Sequence, residues 1–221
     1  MNIKALVMDL DGTLYSSSKE IAARNAALKR LKLYLKKKGM NNMIKGKHAE
    51  MLKKLILSGR VSYTIRYLHN VYGIPSRPFE IYVNDLNPST FGIRNDNKII
   101  KLLYELRNSY KLFIFTNSPN IWSSRAIKAI GISKFFNTKN TINREVLDGY
   151  LKPEKNSYAI MLKRIGFNPN EVIFLDDKPE NVNGAKKAGV KSILIHNGKG
   201  LGISIYAALR RIKTDAEGAL E

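Results

Sequence analysis

Two carboxylates, Asp9 and Asp11, stand two residues apart where the apolar run 3–8 meets Gly12. In an extended chain residues i and i+2 face the same side. The pair is therefore expected to converge on one small volume, with Gly12 allowing the backbone to turn. Like charges held together need a shared proton, a cation or both, and a hard divalent ion with oxygen ligands, such as Mg²⁺, fits best. The plain alternative is a turn with no chemistry, since Asp before Gly favours turns.

Three further polar groups follow short apolar runs: Thr116-Asn117-Ser118, Asp176-Asp177, and Lys152 in a loop before Pro153. Each has a structural explanation of its own. Thr116 and Ser118 can cap the next helix, Asp176-Asp177 can open a turn, and Lys152 is one lysine among many. Ligands of open α/β sheets gather outside the carboxyl ends of the strands. Four coincidences at one sheet edge call for one cause.

The elements that must carry these residues are legible as periodicities. Apolar residues Ile21, Leu28, Leu31 and Leu35 predict a helix over 19–38, with Ser17 or Ser18 as N-cap and Gly39 past its end. Met51, Leu52, Leu55 and Ile56 predict a second helix. Val61, Ile65, Leu68 and Tyr72 predict a third, stopped by Gly73, Pro75 and Pro78.

Strands then alternate with helices. Strands are expected at 111–115, 172–175 and 192–195. Helices are expected around Ile99 to Leu106, Trp122 to Ile130, Tyr158 to Ile165, 182–188 and Ile205 to Ile212, with 214–221 a frayed end. The pattern predicts an α/β fold, a Rossmann-like doubly wound parallel sheet covered on both faces. The helical block interrupts it after the first strand. The expected organisation is a core of residues 1–14 and 86–221, with a small α-helical cap domain, 15–85, inserted.

Composition narrows the function classes. The 221-residue chain has no cysteine, which excludes disulfides, zinc-thiolate sites and a thiol nucleophile. His48, His69 and His196 show no metal-ligand spacing. No apolar stretch approaches the roughly 18 residues that span a bilayer, and the start lacks a signal-peptide pattern. These features predict a cytoplasmic protein with no membrane partner. Net charge is +20, and Lys19 to Arg60 alone carries thirteen basic residues against two acidic ones. Such a surface attracts anionic substrates or polyanions, but intact apolar periodicity makes it a lysine-rich solvated helix face. No nucleic-acid-binding signature accompanies it, so nucleic acid is not the expected partner.

As a set, DLDGTLY at 9–15, FTNS at 115–118, LKPE at 151–154 and FLDDKPENVNGAKKAG at 174–189 resemble the four motifs of the haloacid-dehalogenase-like superfamily of phosphohydrolases, in order and spacing. The resemblance implies Asp9 as nucleophile, forming an aspartyl-phosphate. Asp11 would protonate the leaving oxygen and then activate water. Thr116 and the Asn117 amide would bind phosphoryl oxygens, while Lys152 neutralises their charge and restrains Asp9. Mg²⁺ would be held by Asp9, the Asp11 backbone carbonyl and one or both of Asp176 and Asp177. The chain departs from the family where Lys178 and Asn181 replace a common Ser or Thr and a further acid, so coordination must lean on Asp176 and Asp177.

The implied substrate is a small-molecule phosphate monoester, a nucleotide or sugar phosphate. The motifs resemble the pyrimidine 5′-nucleotidase-like members, and GRVSYTIRYL at 59–68 is loosely similar too. Lys53, Arg60, Tyr63 and Arg66 are the cap residues expected to contact the leaving group. A phosphomutase or dehalogenase on the same scaffold, or a basic nucleic-acid-binding protein on a degenerate enzyme fold, is the competing reading.

Overall fold

The computed structural model describes residues 3–40, 46–57, 61–196 and 203–217. Its centre is a five-stranded parallel sheet in the order β3-β2-β1-β4-β5. The strands are β1 (Ala5–Met8), β2 (Lys111–Phe115), β3 (Thr141–Ile142), β4 (Val172–Asp176) and β5 (Lys191–Leu194). β1 lies between β2 and β4, with Met8 level with Ile114 on one side and Leu175 on the other. The chain winds outward from β1 to β3, then returns to β4, so the reversal falls beside β1. A crevice opens at such a reversal, outside the carboxyl ends of the strands.

Every residue of β1 and β4 is buried, as expected of strands covered on both faces. Side-chain alternation divides them. Leu6, Met8, Ile114 and Leu175 pack with α5 (Asn97–Leu106), α6 (Asn120–Ile130) and α9 (Ile205–Glu217). Ala5, Val7, Phe115 and Phe174 pack on the other face with α7 (Lys155–Ile165) and α8 (Pro179–Lys187).

Between β1 and α5 come α1 (Ser17–Lys37), α2 (Gly46–Leu57), α3 (Val61–Tyr72) and α4 (Ser76–Asn84). They share a separate apolar cluster, including Leu31, Leu35, Leu52, Ile65, Leu68, Phe79 and Val83. Fully burying one such side chain is worth about 1.5–3 kcal/mol, which holds these short helices together.

The elements depart from expectation in several places. The third helix ends at Tyr72, before Gly73, as expected, but a fourth, unexpected helix follows. α4 begins directly after Pro75, and Pro78 lies in its first turn, where a missing N–H costs no helical hydrogen bond. β3 has two residues, too few for any periodicity. Ile21 and Met51 are 44% and 47% exposed, while Ala23 and Ala27 take inward positions on α1. Residues 214–217 are not frayed: α9 runs through Glu217. Among the described residues no helix is long and apolar enough to cross a membrane.

Candidate active site

The first charged residue after β1 is Asp9, whose backbone N–H donates to Leu175 O at 2.8 Å and locks it to the end of β4. Its carboxylate is buried and faces Lys152. The Lys152 ammonium donates to Asp9 Oδ1 at 2.6 Å, Asp176 Oδ2 at 2.7 Å and Phe115 O at 2.8 Å. Three acceptors for three protons leave none of its capacity unused. Burial pulls the Lys152 pKa down, but Asp176 and Asp9 outweigh it and hold the ammonium above its ordinary value. Its loop is fixed by Asn117, whose Oδ1 accepts from Lys152 N at 2.8 Å and whose Nδ2 donates to Lys152 O at 3.0 Å.

Asp11 has a separate set of partners. Thr116 Oγ1 (3.0 Å) and Ser118 Oγ (2.7 Å) donate to its Oδ2. Trp122 Nε1 (2.7 Å) and the Tyr15 hydroxyl donate to Oδ1. Burial, reinforced by the Asp11 charge, pushes the Tyr15 pKa well up and keeps this donor protonated. Asp9 and Asp11 therefore line one cavity without sharing partners: β1 ends at Met8 and the chain is already turning at Asp11.

A three-acid group lies beside them. One oxygen from each of Asp9, Asp176 and Asp177 falls within 4.8 Å of the others. Asp176 is well supplied with donors: Lys178 N at 2.8 Å, Asn181 Nδ2 at 3.0 Å to both oxygens, and Lys152. Asp177 Oδ1 is buried with no hydrogen-bond partner, and burial pushes its carboxyl pKa up to about 6. Gly12 makes room for this carboxylate. At φ +85°, an added Cβ would stand 2.4 Å from Asp177 Oδ2. An orphaned oxygen within an all-oxygen set fits a hard divalent cation. The Asp11 carboxylate is not in that group.

A cavity of about 530 Å³ opens above these groups. Asp9, Asp11, Thr116, Asn117, Ser118 and Lys152 line its floor, and Arg24 from α1 with Val61, Ser62 and Tyr63 from α3 close over it. Two hydroxyls clip roof to floor: Ser62 Oγ donates to Asn117 O at 3.0 Å, and Tyr63 OH to Lys152 O at 2.8 Å. The other expected cap residues lie elsewhere. Lys53 is exposed on α2 and does not line this cavity. Arg66 turns to Glu154 Oε1 at 2.6 Å and Gly149 O at 2.9 Å. Arg60 lies outside the described residues, as does the side chain of His48.

Among the lining residues that periodicity missed are Arg24, Glu20, Asn84, Tyr15 and Trp122. Trp122 reads as a core position of an amphipathic helix, and it is buried. Nothing in its spacing announces that the indole N–H reaches Asp11 across 111 residues.

Comparison with known proteins agrees with this architecture. Residues 6–195 match the family model described as haloacid dehalogenase-like hydrolase. A glyceraldehyde 3-phosphate phosphatase of Methanocaldococcus jannaschii is 29% identical over 225 residues, covering 89% of this chain and 86% of that protein. The crystal structure of a HAD phosphatase from Thermococcus onnurineus superposes with a TM-score of 0.61 at 22% identity, covering 95% of this chain and 97% of that one. An L-2-haloacid dehalogenase from Xanthobacter autotrophicus, with chloropropionic acid covalently bound, gives 0.52 at 20% identity, covering 87% and 77%. The two structures show the fold. The family match spans most of the chain and includes the ends of β1, β2 and β4, and the chain therefore belongs to the haloacid dehalogenase-like hydrolases.

Proposed function

We propose that this hydrolase is a Mg²⁺-dependent phosphatase, releasing inorganic phosphate from a small phosphate monoester through an aspartyl-phosphate on Asp9. The observation that carries the reading is Asp11, a second carboxylate in the cavity of Asp9, held by four side-chain donors of its own. Displacement of a halide needs no proton for the leaving group, whereas an alkoxide leaving from phosphorus does. Similarity to a phosphatase along 89% of the chain supports the same choice.

In the first step a carboxylate oxygen of Asp9 bonds to phosphorus as the ester P–O bond breaks, and Asp11, which takes up a proton from solvent before the step, gives it to the departing oxygen. In the second, Asp11 takes a proton from water, water oxygen bonds to phosphorus, and the bond from phosphorus to Asp9 breaks. Thr116 and the Asn117 amide hold phosphoryl oxygens, and Lys152 balances charge on them. Asp9 and Asp177, with Asp176 and the Asp11 carbonyl as the further oxygens, would hold Mg²⁺. Bound there, the ion supplies positive charge that offsets repulsion between nucleophile and phosphate.

Residues 15–85 act as a cap over the core formed by 1–14 and 86–221. A cavity of about 530 Å³ suits compact esters, and a relative named for a triose phosphate supports a short leaving group. Nucleotides of the pyrimidine 5′-nucleotidase-like class form a second arm of the screen.

The test is phosphate release from p-nitrophenyl phosphate with and without Mg²⁺, repeated with Asp9→Asn. Activity is expected only with Mg²⁺ and to be abolished in the variant. Undiminished turnover in Asp9→Asn would overturn the mechanism. Chloride release from a 2-haloacid, or isomerisation of a hexose phosphate without net hydrolysis, would assign a dehalogenase or mutase instead.

A further inference from the structure

The cavity holds a cation that the reaction above does not use. Arg24 projects from the second turn of α1 into the lining, opposite the sheet edge. Its Nε is shielded from solvent and has no hydrogen-bond acceptor. Among the described residues its one carboxylate contact is Nη1 to Glu20 Oε1, long at 3.3 Å. That same oxygen faces the Lys178 ammonium at 3.7 Å. Two cations therefore share one carboxylate oxygen, and burial weakens Glu20 as a neutraliser by raising its pKa. A buried donor without an acceptor costs roughly 1–3 kcal/mol, a cost removed when the guanidinium turns that N–H onto an acceptor in the cavity.

Beside Arg24 that wall carries the Glu20 carboxylate and the Asn84 amide, and its remaining surface is apolar. Ala23 and Ala27 from α1, Val61 and Leu86 line it beside Arg24. Anything bound to Asp9 and Lys152 that extends toward α1 thus meets a guanidinium held by one long ion pair and with one N–H unpaired. A neutral alkyl leaving group would leave Arg24 Nε unpaired and a polyol hydroxyl would give it only a neutral acceptor, whereas an anion would give it a charge-assisted hydrogen bond.

We infer that Arg24 selects phosphate esters whose leaving group carries a second anionic group, with the first phosphate on the floor and the second anion at the α1 wall. This rests on the phosphatase reading and narrows its substrate class. A carboxylate or a second phosphate supplies the same chemistry, and both enter the test.

The experiment compares kcat/KM for 2-phosphoglycolate, for propane-1,3-diol bisphosphate and for neutral glycerol 1-phosphate, in the wild type, Arg24→Gln and Arg24→Lys. A charged hydrogen bond worth about 1.5–3 kcal/mol predicts that the anionic-to-neutral ratio falls roughly 10- to 100-fold in Arg24→Gln. The loss should fall chiefly in KM, with partial recovery in Arg24→Lys. The larger loss, on carboxylate or on bisphosphate, identifies the source of the anion. A wild type with no preference for either anionic ester, or a ratio moved less than about threefold by Arg24→Gln, would overturn the inference.

A binding arm separates this from failure of the phosphatase reading. Calorimetry with phosphonoacetate and methylphosphonate should show a preference for the dianionic probe that Arg24→Gln removes. If the preference is present but no ester is hydrolysed, the reaction is wrong and the anion site stands. If esters are hydrolysed and neither probe shows the preference, the reaction stands and the anion site is wrong.

Discussion

The floor and the roof of the cavity are built on opposite principles. On the floor, Asp9, Lys152 and Asp176 are buried charges within 2.7 Å of one another's partner atoms, attached to strand ends and loops that the parallel sheet holds in register. On the roof, Ser62, Tyr63 and Arg24 hang from helices whose apolar contacts are largely with each other, and Ser62 and Tyr63 reach the floor through neutral hydrogen bonds to backbone carbonyls. Charges that must not move sit where the backbone cannot move. The groups proposed to select a ligand sit on an element that can be altered without disturbing the floor.

The floor's dependence on pairing gives the largest expected effect. Lys152→Met leaves Asp9 and Asp176 buried without their cation, a change that typically costs about 3–5 kcal/mol. Urea unfolding should show that loss without metal and a partial recovery with Mg²⁺, with turnover depressed about a thousandfold or more. Unchanged stability would mean that the floor is not held by its charges.

Gly12 tests the same region through the backbone. Gly12→Ala places a Cβ at φ +85°, costing roughly 1–2 kcal/mol, and drives it against Asp177 Oδ2. The Mg²⁺ concentration for half-activation should rise about tenfold or more. The wild type should show a related pH dependence. The Asp177 carboxyl is raised to about 6 by burial, so in the metal-free protein its unfolded form ionises first. Its contribution to stability is therefore lost as pH rises from the ordinary Asp range through about 6. Mg²⁺ must displace that proton, so its affinity should weaken as pH falls below about 6. Affinity independent of pH there would remove Asp177 from the ligand set.

The smallest effect belongs to the roof. Tyr63→Phe removes the hydroxyl that donates to Lys152 O. A neutral hydrogen bond contributes about 0.5–1.5 kcal/mol, so KM for a small ester should rise no more than roughly tenfold, with kcat following less. A fall in kcat as large as that of Lys152→Met would erase the distinction between roof and floor.

Much of the floor was legible because its residues follow apolar runs. Asp9, Thr116, Asp176 and Asp177 come directly after or at the end of β1, β2 and β4, where strand periodicity breaks. Lys152 was legible only through its motif, since one lysine in a chain with 38 Lys and Arg has no signature of its own. The roof was read poorly for a related reason. Basic helix residues look alike along a periodic segment, and Lys53 and Arg66 could not be told from Arg24. α4 has no signal of its own in the sequence, because Pro78 reads as a helix stop although a first turn tolerates it.

Residue order alone settles the alternation of strands and helices, the parallel sheet and the polar strand ends, because local periodicity and chain connectivity govern them. Three-dimensional packing settles which charges meet. It separates Asp11 from Asp9 and gives it Trp122 and Tyr15, leaves Asp177 Oδ1 without a partner, and brings Arg24 over the floor. The contact of Trp122 with Asp11 joins residues 111 positions apart. No local pattern encodes such distances; they exist only once β1, β2 and β4 lie side by side with α1 and α3 above them.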